Sequence, residues 1–163
     1  MNQRSVLMMF HSVQRILPDS DPGLIVFGHG YSHVLFLAIL SRIFKTSRGI
    51  DYKKGVDWDM MENVFRVTVG LLSKKYLVTI PDGLIERNQG DIRDFQSVSS
   101  CFSPWRQCRR RVVYCFGSTM CADTLEHICK LISNEPSVYV AILYRHDRVS
   151  GMDMLIFLNH SSP

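Results

Sequence analysis

The chain has 163 residues, 46% of them apolar and 21% charged, a balance that excludes intrinsic disorder and suffices for one ordinary core. No uninterrupted apolar run is longer than Val34 to Leu40, which is far too short to span a bilayer as a helix. A formal net charge of +4 permits an acidic or nucleic-acid partner without demanding one.

Residues 4–17 place Val6, Met9, Phe10, Val13 and Leu17 at helical spacing, and Pro18 ends the run. Asp19 to Gly23 is a turn-rich break. Leu24-Ile25-Val26-Phe27 is a compact apolar run that reads as a buried strand and passes directly into Gly28-His29-Gly30. The helix after it is apolar almost all round, through Val34, Leu35, Leu37, Ile39, Leu40 and Phe44, and so is predicted to be buried. Gly49-Ile50-Asp51-Tyr52 reads as the end of a second short strand. Asp57 is expected to cap a helix with Trp58, Met61, Phe65, Thr68 and Leu72 on one face.

Tyr76 to Ile80 alternates like a strand and stops at the turn Pro81-Asp82-Gly83. Leu84 to Arg93 fits no single element, and Gly90-Asp91 marks a bend within it. Ser97 to Gln107, rich in Ser and carrying Pro104, is predicted to be an irregular loop. Arg111 to Phe116 reads as a buried strand. Gly117-Ser118-Thr119 then opens a helix with Cys121, Leu125, Ile128, Cys129 and Ile132 facing inward, and Asn134-Glu135-Pro136 ends it. Val138 to Tyr144 is the clearest strand of the chain, and Met154 to Leu158 is a last one.

Alternating strands and helices predict an α/β fold, a Rossmann-like three-layer sandwich with a mostly parallel sheet, formed as a single domain over residues 1–163. The last strand can join the sheet edge or pair with another subunit, giving an oligomer through an edge strand. The N-terminus lacks the apolar core and cleavage site of a secretory leader. Five cysteines without a C-x-x-C pair fit a reducing compartment, so the expected location is intracellular, cytoplasmic or nuclear, with no membrane partner.

In doubly wound sheets ligands sit at the carboxyl ends of strands, where helix N-termini present free N–H groups. Gly28-His29-Gly30 occupies such a place, and its glycines allow a tight turn and close approach of a ligand to the backbone. Asp51 follows Gly28 by about 20 residues, the spacing at which nucleotide-binding sheets place an acid that accepts hydrogen bonds from ribose hydroxyls. A tight turn that binds nothing and a solvated loop acid are the simpler readings of the two features taken separately.

The order of these segments resembles the class I S-adenosylmethionine-dependent methyltransferases. Leu24-Ile25-Val26-Phe27-Gly28-His29-Gly30 is similar to their first motif, and Gly49-Ile50-Asp51-Tyr52 to their second. Gly90-Asp91-Ile92-Arg93-Asp94-Phe95 is similar to their third-strand segment, and Val112-Val113-Tyr114-Cys115-Phe116-Gly117-Ser118 falls where their fourth strand lies. From the second motif onward the outline resembles histone methyltransferases with this type of catalytic domain. The resemblance implies S-adenosylmethionine as cofactor. It places Gly28, His29 and Gly30 at the first motif, Asp51 on the ribose, Asp91 and Ile92 at the adenine, and Cys115 near the transferred methyl. The first motif is degenerate, with Phe27 where the family carries an acid and bulkier residues at Ser32 and His33. The fourth segment has no Asn-Pro-Pro-Tyr or Asp-Pro-Pro-Tyr sequence, and the chain ends one or two strands short of a complete family sheet.

Other constellations compete with that reading. His29 followed by glycine, with Cys115 at the end of another strand, resembles the layout of caspase-like peptidases, where the imidazole activates the thiol. His29 and His33 stand four apart, but no third ligand accompanies them and no metal site is expected. Trp105, Arg106, Arg109, Arg110 and Arg111 form a basic cluster able to bind phosphates or a protein partner, with Trp105 available to stack on a base. Two functions follow from different classes. One is a methyltransferase-like enzyme with an unknown protein or nucleic-acid acceptor and no assignable catalytic residue. The other is a catalytically inactive interaction or accessory protein that uses the basic cluster.

Overall fold

A computed structural model describes residues 3–18, 21–52, 56–102, 108, 110–116, 121–147 and 151–158. The elements run α1 (Gln3–Ile16), β1 (Gly23–Phe27), α2 (His33–Leu40), β2 (Thr46–Asp51), α3 (Val56–Tyr76), β3 (Ile85–Gln89), α4 (Phe95–Phe102), β4 (Arg111–Phe116), α5 (Ala122–Ser133), β5 (Val138–Asp147) and β6 (Gly151–Leu158). The strands form one sheet in the order β3-β2-β1-β4-β5-β6. The first five are parallel, and β6 turns back antiparallel on β5, with Ile142 opposite Ile156. The fold is therefore the Rossmann-like α/β class that the alternation predicts, and the last strand extends the sheet of its own chain.

Side chains alternate across the sheet because successive Cβ atoms of a strand point to opposite faces. Leu24 and Val26 of β1 join Val6, Phe10 and Val13 of α1, Leu35 of α2, and Val112 and Tyr114 of β4 on one face. Ile25 and Phe27 join Ile50, Val98 of α4, Val113, Cys115 and Ile128 of α5 on the other. All five residues of β1 are buried. A strand covered on both faces needs an unbroken apolar run, which is what Leu24 to Phe27 supplies.

Four expectations change. The helix after the glycine turn stops at Leu40, because Arg42 adopts a left-handed backbone (φ 60°), and Phe44 lies against Phe10 with ring centroids 4.8 Å apart. Tyr76 closes α3 instead of opening a strand. Leu77 is left-handed (φ 55°), the Val78 N–H bonds back to the Leu72 carbonyl at 2.9 Å, and residues 77–80 carry no regular structure. The third strand is instead Ile85–Gln89, from the stretch whose pattern fitted no element. Residues 97–102, expected to be loop, belong to α4. The Asp94 carboxylate accepts from the Ser97 N–H (2.9 Å) and hydroxyl (2.7 Å), an N-cap, and Val98 and Cys101 supply a buried face. Asp57 lies within the first turn of α3 and not at its cap. Gly117, Ser118 and Thr119, expected to open α5, lie outside the described residues, as do residues 103–107.

Candidate cofactor site

The site follows from the parallel pairing of β1 and β2. Their register sets Phe27 against Ile50, so the turn after β1 and the acid that ends β2 emerge side by side. Gly28 (φ 76°), Gly30 (φ 52°) and Ser32 (φ 66°) all take left-handed backbone conformations, which only glycine adopts without steric cost. The Gly28 N–H still donates to the Ile50 carbonyl at 2.8 Å, and the Gly30 N–H donates to Oδ2 of Asp51 at 2.7 Å. This short, charge-assisted bond ties the glycine turn to the acid. Among the described residues Oδ1 of Asp51 takes no hydrogen bond, and a Cβ placed on Gly30 would meet nothing within 4 Å.

His29 lies beneath this turn, 1% exposed. Its Nδ1 is 2.9 Å from the Gly30 carbonyl, an acceptor only, so Nδ1 carries the proton of the neutral ring. Ser32 Oγ lies 3.3 Å from the same nitrogen, and the Ser32 N–H donates to the His29 carbonyl. The imidazole meets Trp58 of α3 edge-on, with ring centroids 6.2 Å apart. Burial lowers its pKa, against an opposing pull from Asp51. His29 thus braces the turn from below. His33, exposed at the first position of α2, has its pKa lowered in the same direction by partial desolvation.

The next strand end adds Gly90 and Asp91. The Gly90 N–H donates to the Asp51 carbonyl at 3.1 Å, and a Cβ on Gly90 would come within 2.8 Å of Ser97, so any side chain there would displace α4. Asp91 stands at the rim, but its carboxylate is engaged by Arg93 through Nε (3.0 and 3.1 Å), Nη2 (2.6 Å) and the backbone N–H (2.9 Å). That pairing lowers the Asp91 pKa. Ile92 packs with Val98 and Cys101 in the core. Tyr52, directly after Asp51, is exposed at the same strand ends. Sequence reasoning passed over both Tyr52 and Arg93, although the signal for Tyr52, an aromatic next to a strand-end acid, was present.

Gly28, Gly30 and Asp51 come together as a unit, with Asp91 on the neighbouring strand end. Cys115 does not join them at the surface. It is 0% exposed in the core, and burial pushes its thiol pKa up to about 12, so it holds no reactive thiolate for a His–Cys dyad. Arg111, expected in the solvent-facing basic cluster, turns inward instead. Its Nη1 donates to the Phe102 carbonyl and to Ser137 Oγ, both at 2.8 Å, and lies 3.7 Å from Glu135. The reason is its place at the start of a central strand, where side chains alternate into the core. Arg110 is exposed, its guanidinium 4.6 Å over the Tyr139 ring. Trp105, Arg106 and Arg109 lie outside the described residues. Among the described residues no three His, Cys, Asp or Glu side chains converge as metal ligands, and no helix is long and apolar enough to cross a membrane.

No protein-family model matches the chain, and no curated protein matches its sequence significantly. Solved structures do match its fold. The methyltransferase domain of bacterial CtHen1-C is 16% identical with a TM-score of 0.56, over 88% of this chain and 65% of that one. M. capricolum TrmK, solved with S-adenosyl-homocysteine, is 11% identical with a TM-score of 0.57, over 99% and 70%. Streptococcus pneumoniae Sp1610, solved with S-adenosyl-L-methionine, is 13% identical with a TM-score of 0.52, over 91% and 57%. The alignment thus spans just under two thirds of the CtHen1-C domain. At these identities the likeness is one of fold alone, the Rossmann-like α/β fold that these methyltransferases share.

Proposed function

We propose that this chain is an S-adenosylmethionine-dependent methyltransferase-like domain whose cofactor lies over Gly28, Gly30 and Asp51, with Asp91 and Ile92 flanking. The observation that carries this reading is the bond from the Gly30 N–H to the Asp51 carboxylate, which leaves Oδ1 beside an open glycine turn. Those residues fit the nucleoside end of the cofactor, because ribose hydroxyls are donors and Asp51 offers an acceptor. The amino-acid end fits less well. Phe27, wholly buried, stands where the family carries an acid, so the first motif is degenerate.

When bound, the cofactor supplies a methyl group on a sulfonium, an electrophile strong enough to need little acid–base help. The chain's own part is to hold and orient: the glycine turn by its backbone, Asp51 by its carboxylate, and the strand ends by excluding water. The acceptor, in this reading a protein or nucleic acid, meets the site from the rim formed by Tyr52, Arg93 and Asp91. Hydrogen bonds to Asp91 hold the Arg93 guanidinium at this rim.

The buried Phe27 and Cys115 favour a second reading, a catalytically inactive interaction or accessory protein on the same fold. Calorimetric titration with S-adenosylmethionine and S-adenosylhomocysteine separates the two. The first reading expects micromolar binding that Asp51→Ala weakens by about tenfold or more, the loss of hydrogen bonds to a charged acceptor. Absence of heat from a folded sample at high concentration overturns it and leaves the second.

A further inference from the structure

Helix α3 shows two faces. Trp58, Met61, Phe65, Thr68 and Leu72 turn toward the sheet and its neighbours, with Phe65 stacked on Phe36 of α2 at 4.9 Å. Beside that face Met60, Val64, Val67 and Leu71 are 44%, 36%, 53% and 53% exposed. Their spacing of four, three and four residues is that of a coiled-coil seam, which keeps apolar side chains in one row along a helix. Such a row in water marks a contact surface more often than scattered single residues do.

The seam is symmetric about its own midpoint, between Phe65 and Arg66. Reversing its direction exchanges Met60 with Leu71 and Val64 with Val67, and the exposed residue next along each end, Asp57, with Lys74. Charge follows the same pattern, since the first turn carries Asp57 and Asp59 and the last carries Lys74 and Lys75. Among the described residues Asp57 and Lys74 have no ion-pair partner within their own chain.

We propose that α3 is a self-association surface, on which the α3 of a second copy docks antiparallel about a twofold axis. A twofold contact requires a self-complementary patch, and this seam is one. Antiparallel docking sets Asp57 of each protomer against Lys74 of its partner, Met60 against Leu71 and Val64 against Val67, and opposes the two helix dipoles. Parallel docking would put acids on acids and lysines on lysines, which costs stability. The opposed dipoles and the exchange of unlike end charges select a second copy over an unrelated apolar partner.

The test is sedimentation velocity of the full chain, without ligand, across a concentration series. A concentration-dependent dimer is expected, with Val67→Glu monomeric and its circular dichroism unchanged. Charge exchange keeps the proposal falsifiable without touching the apolar row. Asp57→Lys alone and Lys74→Asp alone should each weaken the dimer by about fivefold, since each disrupts two symmetric pairs. The double variant Asp57→Lys/Lys74→Asp should restore it. A chain that stays monomeric throughout overturns the proposal. So does a dimer indifferent to Val67→Glu, or one that the double exchange fails to rescue.

Discussion

An ideal Cβ on Gly49 would stand 2.5 Å from Cδ2 of His29 and under 3 Å from two further atoms of its side chain. The imidazole beneath the glycine turn and the bare backbone of β2 therefore share one space. Neither can retreat easily, because β2 is paired on both sides and His29 is held by Gly30, Ser32 and Trp58. Gly49→Ala should destabilise the protein by about 1–3 kcal/mol, the cost of overpacking. Urea denaturation of Gly49→Ala with and without His29→Ala checks it: the penalty should shrink when the ring is gone. An equal penalty in both backgrounds would count against the shared space.

Acid should weaken the same region. Burial holds the His29 pKa below its ordinary 6.5, and His33 is lowered in the same direction by partial desolvation. A histidine lowered in the fold is protonated first in the unfolded chain, so stability falls as pH drops below about 6.5 and stops falling below the folded pKa. His29→Gln should flatten part of the change in urea midpoint between roughly pH 7.5 and 5.5. The engaged carboxylates of Asp91 and Asp94, both lowered by their hydrogen bonds, act in a separate window, where stability is lost as pH falls below about 4.

Thiol chemistry should sort the cysteines by position. Cys121 is exposed before α5, and hydrogen bonding to Thr124 lowers its pKa, whereas burial raises those of Cys115, Cys101 and Cys129. Limited alkylation followed by peptide mapping should find Cys121 modified first and Cys115 modified only after unfolding. Early labelling of Cys115 would revive the His–Cys reading.

One position within α3 and one just past its end invite opposite substitutions. Gly70 has nothing within 4 Å of where a Cβ would stand, so Gly70→Ala should stabilise by about 1 kcal/mol through helix propensity alone. Leu77 is 87% exposed and left-handed at the end of the helix, and Leu77→Gly should stabilise by roughly 0.5–1 kcal/mol by removing the strain of its Cβ. Chemical denaturation of the two single variants measures both.

Elements with one dominant local cause could be read from the sequence. Leu24 to Phe27 is apolar because β1 is covered on both faces, and the glycines after it mark left-handed turns. Elements governed by competing causes were not legible. Ser97 to Phe102 is polar enough to look like loop, but the Asp94 cap and two buried side chains make it helix. Ile85–Gln89 reads polar because β3 is an edge strand, its charges answered by Arg48–Glu86 and Arg87–Glu62 ion pairs that no local pattern shows. At the site, Gly28, Gly30 and Asp51 were legible through spacing. The burial of Cys115 was legible too, in the apolar run Arg111 to Phe116, but the inward turn of Arg111 was not, since it depends on which strands become its neighbours.

The strand order also sets a timetable for folding. β1 lies between β2, which follows it closely, and β4, where Gly23 meets Arg111 far along the chain. A ribosome therefore releases the whole α1–α4 segment while one edge of its most apolar strand still lacks a neighbour. Pairing across so long a loop forms later than local pairing, and until it forms the second edge of β1 stays open to mispairing.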